Sequence, residues 1–166
     1  SSAASDVYKR QDKIASWGIC CSRGIAKHDD RRGEDNTEWC LCLYNAWTYH
    51  QLSTTVPPAF CIAIANKRKV VLPHALPIEL YYWKKENLEF GIMDADISGY
   101  KVHITDMERS VCDAVKYRNK IGLDVCAEVI RTYLKKPNRN LARLQDYAKR
   151  LRVFNTLKNY LEIAIE

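Results

Sequence analysis

The feature that most constrains this chain is a change of hydrophobic period at Thr105. Between Phe60 and Ile104 apolar residues come in short runs or alternate, which is the spacing of strands; from Thr105 onward they recur every three to four residues, which is the spacing of helices. Strands first and helices last predict an α+β fold: a small, mostly antiparallel or mixed sheet packed against helices, with a C-terminal run of three to four helices. A chain of 166 residues is enough for one domain with a sizeable core. Its 47% hydrophobic and 28% charged residues exclude a disordered or collagen-like chain. The longest apolar run, Ala59 to Ala65, is strand-sized and far short of the ~18 residues of a membrane span, so no membrane partner is expected. No signal peptide is visible, and a cytoplasmic location is expected.

Two segments follow from the local pattern. Residues 1–34 read as irregular chain with at most a short strand around Gly18 to Cys21, and residues 1–11, SSAASDVYKRQ, read as non-native adaptor. Residues 35–166 read as the folded domain. Asp35-x-x-Glu38 has the form of a capping box opening a helix over 39–51, with Leu43, Ala46 and Trp47 on one face; Pro57 and Pro58 stop it. Phe60 to Ala65, Ile78 to Trp83, Glu89 to Met93 and Tyr100 to Ile104 read as strands, with a basic turn at Asn66 to Lys69 and another turn at Ser98-Gly99. Thr105-x-x-Glu108 reads as a second capping box. The helix behind it points Met107, Val111, Ala114 and Val115 inward, and Gly122, in the left-handed region, breaks it. A helix over 123–135 follows, with Val125, Val129, Ile130 and Tyr133 inward. The next, 141–151, has Leu141, Leu144, Ala148 and Leu151 inward, and the last covers 156–165.

The seven cysteines, at 20, 21, 40, 42, 61, 112 and 126, are odd in number and irregular in spacing, which fits free thiols of a reducing compartment. The CC and CxC pairs at 20, 21, 40 and 42 do not match the spacing of a zinc site, and Cys61, Cys112 and Cys126 lie on apolar faces as core residues. The chain has no GxGxxG, P-loop, GxSxG, HExxH or CxxC pattern, and no metal or cofactor is expected. His28, His50, His74 and His103 are scattered and read as surface or interface residues. Asp94 and Asp96 read as turn chemistry beside Ser98-Gly99.

Charge is localised. Residues 1–40 hold seven Lys/Arg and seven Asp/Glu, residues 41–100 hold five and five, and residues 101–166 hold fourteen and eight, so the last 66 residues carry the whole net charge of +6. On the surface reading, Arg109, Arg118, Lys120, Arg131, Lys135, Lys136, Arg139 and Arg143 form a basic face for DNA phosphates or an acidic partner. Arg118 and Lys120 also complement a helix C-terminus. Asp113 and Glu128, near apolar faces of consecutive helices, read as structural ion-pair residues, Asp113 with Arg109 or Arg118.

The run TDMERSVCDAVKYRNKIGLDVCAEVIRTYL, residues 105–134, resembles the signature of AbiEi-family antitoxins, the antitoxin and transcriptional-regulator halves of type IV abortive-infection toxin–antitoxin pairs. The matching positions are Thr105, Arg109-Ser110, Asp113, the block 117–120, Gly122-Leu-Asp124 and Glu128. His50, Leu52, Ser53-Thr54 and Pro57, the strand FCIAIA and Lys67-Arg68-Lys69 resemble an earlier stretch of the same family, and Tyr147-Ala148 and Arg152-Val153 its tail. The likeness spans about residues 38–163. It implies a non-catalytic bacterial antitoxin that opposes a nucleotidyltransferase toxin in phage defence. Family members usually begin with a winged helix-turn-helix that reads operator DNA. Residues 1–35 show no helix pair of that period, so the chain is expected to be the C-terminal antitoxin domain with that reader missing or truncated.

Two further functions compete with this expectation. One is a DNA-binding regulator acting through the basic C-terminal helices. The other is a metal-dependent nuclease using Asp113 or Glu128 with Lys101 or Lys116.

Overall fold

The computed structural model describes residues 39–56, 59–66, 77–97 and 99–165. The element order is β1 Trp39–Leu41, α1 Tyr44–Tyr49, β2 Phe60–Ala65, β3 Ile78–Trp83, a 3-10 turn Lys85–Leu88, β4 Ile92–Ile97 and β5 Tyr100–Thr105. Five helices follow: α2 Met107–Lys116, the single turn α3 Arg118–Ile121, α4 Leu123–Leu134, α5 Leu141–Arg150 and α6 Phe154–Ile165. The chain is therefore α+β, as the change of period predicts. The expected cap at 35–38, the strand near 18–21 and the basic residues of the turn at 67–69 lie outside the described residues.

The sheet has the order β3-β2-β1-β5-β4. It is mixed: β1 runs antiparallel to β2 and parallel to β5, β2 runs parallel to β3, and β4 and β5 form an antiparallel hairpin. One face carries Cys40, Cys42, Cys61, Ala63, Tyr81 and Trp83 into a cluster with Trp47, Val111, Val115, Cys126, Val129, Ile130, Tyr133, Leu144, Ala148 and Leu157 of the helices. The opposite face gathers Leu41, Phe60, Ile62, Ile64, Ala95, Val102 and Ile104. Burial of both faces explains why β2 is an unbroken apolar run rather than an alternating one.

Four expectations need correction. The helix predicted over 39–51 is β1 followed by the six-residue α1, because Trp39 to Leu41 pair with β2 and β5 in the middle of the sheet. The strand predicted over 89–93 starts later, at Ile92. Gly91 turns the chain with φ 65, and a Cβ there would lie 2.7 Å from Arg109 Cβ. The cap of α2 is Asp106, not Thr105. Asp106 Oδ1 accepts the Arg109 amide at 2.7 Å, while Thr105 ends β5 and its hydroxyl meets Ser110 Oγ at 2.9 Å. The helix break falls at Tyr117, and Gly122 has φ 100 and ψ 142, a positive-φ extended conformation rather than the left-handed helical one. A fifth, smaller difference is Leu141, which is 43% exposed because it opens α5 on the solvent side. At the hairpin, Asp96 Oδ1 accepts the Gly99 amide at 3.0 Å, the turn chemistry expected there.

Candidate interaction surface and its buried support

The eight basic residues do not form one face. Arg109 is 0% exposed, so it is no part of any surface. Its Nε donates to Asp113 Oδ1 at 3.2 Å, and Nη1 donates to the carbonyls of Asn87 at 2.7 Å and Phe90 at 3.0 Å. The guanidinium lies between rings, 4.4 Å from the Trp83 centroid and 4.6 Å from that of Phe90. Asp113 is also fully buried. Burial pushes its carboxyl up, against the opposing pull of Arg109. Arg109 Nη2 and Asp113 Oδ2 have no hydrogen-bond partner among the described residues. The Arg109–Asp113 pair is thus the ion pair expected from the sequence. It joins α2 to the 87–90 turn.

Arg118 is half-buried, and its Nη1 donates to Val115 O at 2.9 Å, satisfying a carbonyl at the end of α2. Lys120 pairs with Glu79 on β3, with its ammonium 4.4 Å from the Tyr81 ring centroid. Both stand at the start of α4. The other five stand at or near its far end, about 18 Å away for a twelve-residue helix. Arg131, Lys135, Arg139 and Arg143 are exposed and Lys136 is half-exposed around the α4–α5 corner. Residues 131–152 hold eight Lys/Arg against a single acidic residue, Asp146, which itself pairs with Arg150 at 3.1 Å.

The corner rests on a polar cluster whose contacts the sequence pattern did not foresee, although Glu108 stands in the expected capping box. Glu108, 3% exposed in the first turn of α2, accepts the Tyr133 hydroxyl at 3.2 Å and the Asn140 amide at 3.0 Å. Its other oxygen lies 3.9 Å from Arg143. Asn140 caps α5 by accepting the Arg143 amide at 3.0 Å. Tyr147 donates to Asp106 Oδ2 at 3.0 Å, and its hydroxyl is pushed up to about 12 by burial and then by the Asp106 carboxylate. His50 Nε2 meets Thr105 O at 2.7 Å. The signals for this cluster were a tyrosine on the buried stripe of α4, whose hydroxyl needs a partner, and an Asn just before α5.

Glu128 is held differently from the ion pair expected of it. Oε1 accepts the Thr54 amide and hydroxyl, each at 3.1 Å, and Oε2 accepts Ser53 Oγ at 3.1 Å. It therefore fastens the segment after α1 onto α4. Among the described residues no group of three His, Cys, Asp or Glu is placed to hold a metal ion. Asp94, paired with His103 at 2.6 Å, lies on the β4–β5 hairpin instead. Cys40, Cys42, Cys61, Cys112 and Cys126 are buried and unbridged, as core thiols are. No helix among the described residues is long and apolar enough to cross a membrane. A scan against protein-family models and a search of curated proteins both find no match to this chain.

Proposed function

We propose that this chain is the antitoxin module of an AbiEi-type, type IV abortive-infection pair, opposing a nucleotidyltransferase toxin in the bacterial cytoplasm without catalysis of its own. One observation carries the reading. The residues of the resemblance, scattered from His50 to Glu128, make three sets of contacts that hold separate elements together. His50 meets the Thr105 carbonyl, and Thr105 meets Ser110. Arg109 meets Asp113, and Glu128 holds Ser53 and Thr54. A set of separated residues that together fix α1, β5, α2 and α4 is what a fold-preserving family signature consists of.

The test is growth rescue. The chain is expressed with an adjacent-gene product that has nucleotidyltransferase activity, and the cells are plated. Rescue is expected; continued growth arrest with a soluble, folded chain would reject the reading.

A second reading is favoured by the exposed cations at the α4–α5 corner: a regulator that contacts DNA there. It predicts affinity that falls steeply with salt, as phosphate contacts release counterions. Magnesium-dependent cleavage through Asp113 is not expected, because that carboxylate is fully buried beside Arg109.

A further inference from the structure

We infer that Glu108 is a positioning residue: its buried carboxylate holds the α4–α5 corner in the shape that grips the backbone of duplex DNA. The inference rests on the DNA reading of that corner.

Lys135, Lys136 and Arg139 crowd a six-residue connection, with Arg143 in the first turn of the next helix. Like charges this close drive a loop to open out. Glu108 opposes that from below. One oxygen takes Tyr133 from the end of α4 and the Asn140 amide from the start of α5, so a single carboxylate closes both flanks of the loop. The Asn140 amide also reaches the Tyr133 hydroxyl at 3.0 Å, and Arg139 Nη1 donates to Lys136 O at 2.9 Å, completing the turn. Asn140 then fixes the first turn of α5, which carries Arg143. A buried carboxylate is an expensive way to make a corner that only has to fold, since an apolar residue of similar size usually serves stability as well. It is a suitable way to hold four cations at set spacings.

Geometry and charge make opposite predictions for this residue. Glu108 subtracts one charge from a cationic surface. If it acted only through charge, Glu108→Gln would tighten binding of a polyanion. If it positions the corner, the same change keeps one acceptor oxygen but turns two charge-assisted hydrogen bonds into weaker neutral ones, and so loosens binding although the protein becomes more positive. Tyr133→Phe removes one of its donors with no change of charge.

The experiment is fluorescence anisotropy with a labelled DNA duplex of about 20 base pairs, titrated with the full chain at several salt concentrations. The wild type is expected to bind with an affinity that falls with salt. Arg139→Ala should lower the salt slope by about one. Glu108→Gln and Tyr133→Phe should each weaken binding roughly three- to tenfold, the scale of one net hydrogen bond, while thermal melting stays cooperative. Unchanged or tighter binding by Glu108→Gln, with Tyr133→Phe at wild-type affinity, would overturn the positioning role and leave the DNA reading intact. No binding by the wild type at low salt would overturn the DNA reading and this inference with it. If Glu108→Gln does not fold, Tyr133→Phe decides: weakened binding supports the role and unchanged binding rejects it.

Discussion

Arg109 turns its donors inward, to one carboxylate and two carbonyls, with an aromatic ring on either side of the guanidinium. Removing it would leave the fully buried Asp113 carboxylate without its cation. Arg109→Ala is therefore expected to cost about 3–5 kcal/mol, read from urea denaturation, whereas the double change Arg109→Met with Asp113→Leu should cost less than the single one. His50 gives a pH dependence. Burial lowers its pKa from 6.5, against the raising effects of the Thr105 carbonyl, Asp106 and Glu108 and in concert with the smaller lowering effect of Lys136. The folded protein thus prefers the neutral ring more than the unfolded chain does. That preference contributes full stability above the unfolded pKa of about 6.5 and is lost as pH falls below it toward the folded value. Melting temperature should drop as pH falls through about 6.5, and the drop should be smaller in His50→Asn. If both proteins show the same slope, His50 is not the titrating group.

At the scale of elements, the joint between the segment after α1 and α4 depends on Glu128. Three donors from Ser53 and Thr54 converge on its carboxylate. Glu128→Ala should destabilise the fold by about 1–3 kcal/mol and speed amide exchange at Thr54, while Glu128→Gln should recover part of the loss. If Glu128→Ala has wild-type stability, the joint is not holding the segment.

The same scale shows what could be read from the chain. Strands β2, β3 and β5 and helices α2, α4, α5 and α6 were legible because each is long enough to show its period. β1 was not. Three residues cannot display a period of two, and Trp39 to Leu41 merge into the helical spacing of Ala46 and Trp47. What makes them a strand is their pairing with Ile64, Ala63 and Ile62 of β2 and, for Leu41, with Ile104 of β5, 63 residues away. The α2 cap was misplaced by one residue because Thr105 and Asp106 are both good caps, and only the pairing of β5 decides between them.

For the whole molecule, the cationic corner was legible as a charge imbalance, but its membership was not. Arg109 has the same charge as Arg139 and shows no sequence sign of burial beyond its i,i+4 acid. Only the aromatic slot made by Trp83 and Phe90, from a different part of the chain, takes it inside. The buried thiols supply a global prediction. Burial pushes Cys61 and Cys126 up to about 11 and raises Cys40, Cys42 and Cys112 as well. Since the thiolate is the reactive form, these five should resist a thiol reagent in the native protein and react together on unfolding. Rapid labelling of any of them in the native state would show that the core opens locally.

The placement of β1 also sets a schedule. Its antiparallel partner β2 leaves the ribosome soon after it, but its parallel partner β5 is made some sixty residues later. Until then the middle of the sheet is an open edge. Non-local pairing of this kind is slow, because the chain must close a long loop before the contact rewards it. A nascent chain halted before Tyr100 lacks the strand that closes its sheet, so productive folding waits until β5 has emerged from the ribosomal exit tunnel.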